Sequence, residues 1–123
     1  MGFREELDAM CKQFAKDSQR GDAVACTSIY TDDVVFYPND RVEESIHGRP
    51  AMTAFFQQAM KDGLKVEEIT TLCAEANQNL GYAVQTFQST IGPGMVMLAL
   101  RRQAEGWRIC NEAMVAIGAF RSL

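Results

Sequence analysis

Few side chains in this sequence can move a proton or hold an ion, and they are scattered. The single histidine, His47, stands just before Gly48 at the end of a polar stretch. An imidazole changes charge near neutral pH and is the side chain best suited to proton transfer there, so His47 is the first catalytic candidate. Tyr37 and Tyr82 lie in segments that read as strands, where a phenol facing a pocket can polarise a carbonyl by donating a hydrogen bond. Tyr37 is the second catalytic candidate and Tyr82 a ligand-binding one. Asp32 and Asp33 are adjacent; on a strand their carboxyls point apart, and acids at such a place cap or turn the chain. Cys11, Cys26, Cys73 and Cys110 include no pair at knuckle or redox spacing and read as small buried apolar groups in a reducing compartment. With one histidine and no acid at ligand spacing beside it, neither a metal nor a cofactor is expected.

Composition narrows the classes. At 123 residues, 47% hydrophobic and 23% charged, the chain has the size and make-up of one globular domain with one core. Its net charge of −4 repels phosphate backbones and anionic lipid, so nucleic acid and membrane are not expected partners. No apolar run approaches the roughly 20 residues that span a bilayer, and Met1–Leu7 lacks the apolar core of a secretion signal. The expectation is a cytoplasmic protein.

The elements that must position these residues follow from periodicity. Phe3, Leu7, Met10, Cys11 and Phe14 recur at helical spacing, which predicts an amphipathic helix over 3–19. Gly21-Asp22 ends it and caps a second helix over 23–30. Val34-Val35-Phe36-Tyr37 reads as a strand closed by Pro38, with a polar loop from Asn39 to Ile46. Gly48-Arg49-Pro50 opens a third helix that ends at Gly63. Everything later reads as strand, over 65–76, 81–90, 95–103 and 107–118, joined by short turns that make neighbours antiparallel. Three N-terminal helices packed on a curved, mostly antiparallel sheet define an α+β fold. Met95 to Leu100 is apolar at every position, so both faces of that strand want cover; a homodimer through the outer sheet face supplies it, and wrapping by the same chain is the alternative.

Gly21-Asp22-Ala23 leading to Tyr30–Phe36, Gly48–Met52 leading to Phe55-Phe56, and Arg101-Arg102 leading to Gly106–Ile109 together resemble the NTF2-like superfamily, in its SnoaL-like and ketosteroid-isomerase-like branches. The resemblance spans nearly the whole chain. It implies a cone, or α+β barrel, around a mainly apolar pocket that relatives use for isomerisation, cyclisation, hydrolysis, simple binding or assembly. It also implies pocket-facing positions in the last strand, Trp107, Ile109, Asn111, Ala113 and Val115, where Asn111 either orients a ligand or is satisfied by backbone. By strand alternation Glu112 turns to the other face, toward Arg101 or Arg108. The isomerase donors and base are missing by this reading: Phe14 occupies the tyrosine position, Leu98 the fourth-strand acid, and Phe36-Tyr37-Pro38 the base. The expected function is binding of an apolar or mildly polar small molecule, with proton transfer at a carbonyl as its enzymatic form. Phe14, Phe36, Phe56, Tyr82, Leu98, Leu100, Ile109, Asn111 and Val115 are the expected ligand-binding residues. The alternative is a non-catalytic dimerisation or assembly module.

Overall fold

The structure, a computed structural model, describes residues 2–38 and 42–115, with the side chains of Val42 and Val115 outside that set. Helix α1 (Phe3–Gln19) turns Leu7, Cys11, Phe14 and Ala15 inward and leaves Arg4, Glu5, Lys12 and Lys16 in water, the division its apolar stripe demands. Asp22 caps α2 (Ala23–Cys26) by accepting from the Ala25 N–H at 3.0 Å. This helix is shorter than its sequence suggests. Thr27–Ile29 tightens into a 3-10 turn, and β1 (Tyr30–Tyr37) begins four residues before Val34. The β-branched Thr27, Ile29 and Thr31 lose rotamer freedom in a helix and suit a pleated surface.

Within the expected loop, residues 42–44 form a 3-10 turn and β2 (Ile46–His47) pairs with β1; Asn39 and Asp40 lie outside the described residues. Helix α3 (Arg49–Lys61) starts at Gly48, whose φ of +88° suits only glycine without strain. It buries Met52 and Phe56. Strands β3 (Val66–Ala76), β4 (Leu80–Ser89), β5 (Gly94–Gln103) and β6 (Gly106–Val115) follow, and the expected continuation to Gly118 falls outside the described residues.

The six strands form one curved, open sheet in the order β2-β1-β6-β5-β4-β3, antiparallel except where β1 runs parallel to β6. Helix α1 packs against β3 and β6, and α3 against β1 and β2. The core between them includes Leu7, Tyr30, Val34, Phe36, Met52 and Leu100, all nearly inaccessible to solvent. Among the described residues no helix is long and apolar enough to cross a membrane.

Two of the irregularities in the ladder decide which side chains meet at the core. Leu100 pairs with Ile109 and Ala99 with Asn111, so Cys110 is an extra residue in β6. Such a bulge reverses the inward–outward alternation downstream of it. A second bulge in β3, between Thr71 and Cys73, leaves Cys73 exposed, whereas Cys11, Cys26 and Cys110 are buried. The expectation of four buried thiols therefore fails at Cys73.

Candidate ligand site

A cavity of about 380 Å³ lies between the two longer helices and the inner face of the sheet. Its walls are largely aromatic: Phe14 from α1, Phe55 and Phe56 from α3, Phe36 from β1 and Phe87 from β4. Phe14 meets Phe56, and Phe36 meets Phe55, edge to face with ring centres 5.6 Å apart, the arrangement that brings ring hydrogens onto a neighbouring π face. A Cβ at Gly94 would fall 2.1 Å from the Phe87 ring. The missing side chain at Gly94 is what lets that ring lie across β5 and form part of the wall. The turn Ile91-Gly92-Pro93 closes the rim, with Ile91 largely exposed.

Polar groups are few. Glu112 is buried and lines the cavity, and one of its carboxyl oxygens accepts from the Tyr30 hydroxyl at 3.0 Å. Burial raises the Glu112 pKa from 4.5 to about 7, against a smaller lowering by the Tyr30 hydrogen bond. Burial, and then the nearby Glu112 charge, push the Tyr30 hydroxyl well above its ordinary range, so Tyr30 keeps its proton as a donor. Burial also raises the Cys11 thiol to about 11. Gln85, on β4, is the remaining polar side chain on this wall. Among the described residues no Lys, Arg or His lines the cavity.

The bulge at Cys110 corrects the reading of the last strand. Unbroken alternation would turn Asn111 inward and Glu112 outward. With one extra residue before them, Asn111 is exposed and Glu112 enters the cavity beside Met114. Glu112 therefore does not pair with Arg101 or Arg108: Arg101 reaches Asp33 at 3.3 Å, and Arg108 donates to the Trp107 carbonyl at 2.7 Å. Asp32 pairs with Arg49, so both exposed aspartates serve as surface ion-pair partners.

Of the other expected site residues, Phe14, Phe36, Phe56, Leu98 and Ile109 line the cavity. Leu100 is fully buried in the core beyond it. Tyr37 alternates with Phe36 and does not line the cavity, while Tyr82 is exposed opposite Glu75. His47 is exposed at the sheet edge, 2.9 Å from the Ser45 hydroxyl, because the short β2 hangs on the outer rim of β1. The Val115 side chain lies outside the described residues.

Residues 7–113 match the SnoaL-like domain. The chain belongs to the SnoaL-like domain family. A comparison with curated proteins found no match. Among solved structures, the SnoaL-like chain is similar to a Nostoc punctiforme domain of unknown function with a cystatin-like fold, at 16% identity and a TM-score of 0.79 over 98% of this chain and 86% of that one. It is similar to an NTF2-like protein with a cystatin-like fold from Novosphingobium aromaticivorans, at 19% identity and a TM-score of 0.68 over 97% and 86%. A Thiobacillus denitrificans structure named for the calcium/calmodulin-dependent protein kinase type II association domain is similar at 14% identity, TM-score 0.71, over 87% and 91%. At these identities the likeness is one of fold.

Sequence reasoning missed Tyr30, Gln85 and Glu112. For Glu112 the available signal was Met114, two positions on and apolar, which keeps phase with Glu112 and not with Asn111. The acid absent from Leu98 stands on the residue paired with it across the ladder, Glu112.

Proposed function

We propose that this SnoaL-like protein binds an uncharged, mainly apolar small molecule and that Glu112 exchanges a proton with it at a carbonyl or the carbon beside one. The observation that carries this reading is a buried carboxyl, with a pKa raised to about 7, opening into an aromatic cavity. A general acid or base works best when its pKa lies near the working pH. Deprotonated, Glu112 accepts a proton from the carbon next to the carbonyl; holding that proton, it returns it to the oxygen or to another carbon of the same system. Tyr30 donates to the carboxyl and steadies its charged form. The apolar walls supply shape and exclude water.

Deuterium exchange tests the reading. In heavy water, α-tetralone should exchange its acidic carbon-bound protons faster with the protein than with buffer, and Glu112→Gln should abolish the acceleration. Equal rates with and without protein, and no ligand-induced shifts in the protein's NMR spectrum, would sink it.

A second reading, a homodimer or assembly module, is favoured by the outer sheet face. Met97 and Tyr82 are 54% and 46% exposed there, beside Val84 and Ala99, an apolar surface of the kind that marks an interface. Back-to-back packing of two such faces would cover it, and it is compatible with an occupied cavity on the other side. Sedimentation should give a dimer that Met97→Arg converts to monomer; a monomeric parent protein removes this reading.

A further inference from the structure

Gln85 is 98% removed from solvent, being only 2% exposed, and all its hydrogen-bonding capacity but one atom is used. Its side-chain nitrogen donates to Thr71 Oγ1 at 3.1 Å and to Cys11 Sγ at 3.2 Å. Behind it, Thr71 Oγ1 donates to Asp8 Oδ1 at 2.9 Å. The direction of this chain is set by its end: a carboxylate can only accept, so the Thr71 hydroxyl proton goes to Asp8 and the hydroxyl lone pairs are left for Gln85. The carboxamide must then present its two N–H groups to Thr71 and Cys11, leaving its carbonyl oxygen without a protein partner. No buried side-chain nitrogen or oxygen among the described residues lacks a partner while closed off from space; on a side chain this buried, the oxygen has only the cavity to open to.

We propose that Gln85 is a specificity-determining residue that accepts a hydrogen bond from a hydroxyl or N–H of the ligand, with Thr71 and Asp8 as positioning residues. The occupant is then a neutral, flat molecule with a carbonyl at one end and a donor at the other. This rests on the small-molecule reading of the same cavity. The spacing suits a two-ended ligand: Gln85 pairs with Val96 and Glu112 with Leu98, on the two strands flanking β5. Two strand spacings and two residue steps separate their backbones by about 12 Å, and both side chains reach inward from there. Among the described residues no cation lines the cavity to hold a carboxylate or phosphate.

Coumarin and umbelliferone, its analogue with a hydroxyl on the far ring, form a matched pair of probes, compared by calorimetry below neutral pH where that hydroxyl keeps its proton. The parent protein should bind umbelliferone about tenfold more tightly, the order expected when a buried acceptor is satisfied in one complex and not in the other. Gln85→Leu should bring the ratio to about one, by removing the acceptor that umbelliferone satisfies and coumarin leaves unpaired. Asp8→Asn, which lies outside the cavity, should also erode the preference without changing coumarin affinity, because its amide can donate to Thr71 and free Gln85 to turn over. That variant keeps the question answerable if Gln85→Leu does not fold. Equal binding of both probes by the parent protein, or a preference that survives Gln85→Leu, overturns the role of Gln85 and leaves the ligand site standing. Binding of neither probe overturns both.

Discussion

Glu112→Gln should leave the protein's stability nearly unchanged in acid and raise it by about 3 kcal/mol in mild alkali. Glutamine keeps the size of the side chain and can still accept from the Tyr30 hydroxyl, so the substitution removes little except titration. The sign follows from the raised pKa. Between 4.5, the ordinary value, and about 7, the value in the fold, the unfolded chain releases a proton that the folded chain retains. Neutral Glu112 is accommodated without penalty below the lower value; the cost of a buried charge grows as pH rises through that window and is complete above it. At about 1.4 kcal/mol per pKa unit, the full difference is of order 3 kcal/mol. Urea unfolding of both proteins from about pH 4 to pH 9 checks it. Stability curves that run parallel across the range would mean that Glu112 titrates as an ordinary exposed acid.

Phe36→Ala is expected to cost about 3 kcal/mol, the lower end of the range for deleting a buried aromatic ring. Phe36 is 1% exposed and meets Phe55 edge-on, so its loss removes apolar burial and a ring contact together. One side of the ring faces the cavity, where there are no partner atoms to lose, and this holds the cost below that of a ring packed on all sides. Against a total stability of about 5–15 kcal/mol for a domain, the variant folds with a thin margin. Its cavity is larger and should accept ligands one ring bigger than the parent protein takes. Calorimetric unfolding with a paired set of two-ring and three-ring ketones gives both readouts. A loss under about 1 kcal/mol would place Phe36 outside the packed core.

The parts of the fold that follow from period and punctuation were legible. α1 carries its stripe from Phe3 to Phe14, Asp22 and Gly48 mark helix starts, and the turns at Asn77 and Gly92-Pro93 separate strands of opposite direction. The aromatic wall was legible for the same reason, because Phe14, Phe36 and Phe56 are the apolar phase of their elements. The polar chemistry was not. Tyr30 stands where β-branched neighbours end a helix, and a boundary shift of four residues moves it from helix to strand. Gln85 gives no sign in sequence that its two donors will be taken by residues on β3 and α1. His47 and Tyr37 draw attention by residue type, yet a two-residue edge strand and the outward phase of β1 keep them from the cavity.

The extra residue at Cys110 makes chain length itself a chemical variable. Asn111 and Glu112 occupy opposite phases of β6, and what selects between them is the number of residues after Ile109, not the identity of either side chain. A chain one residue shorter at this point would present a permanent amide to the cavity and expose the acid on its back. In this domain a one-residue deletion, with no substitution at any lining position, would replace the acid on the cavity wall with an amide, the same exchange that Glu112→Gln makes by substitution.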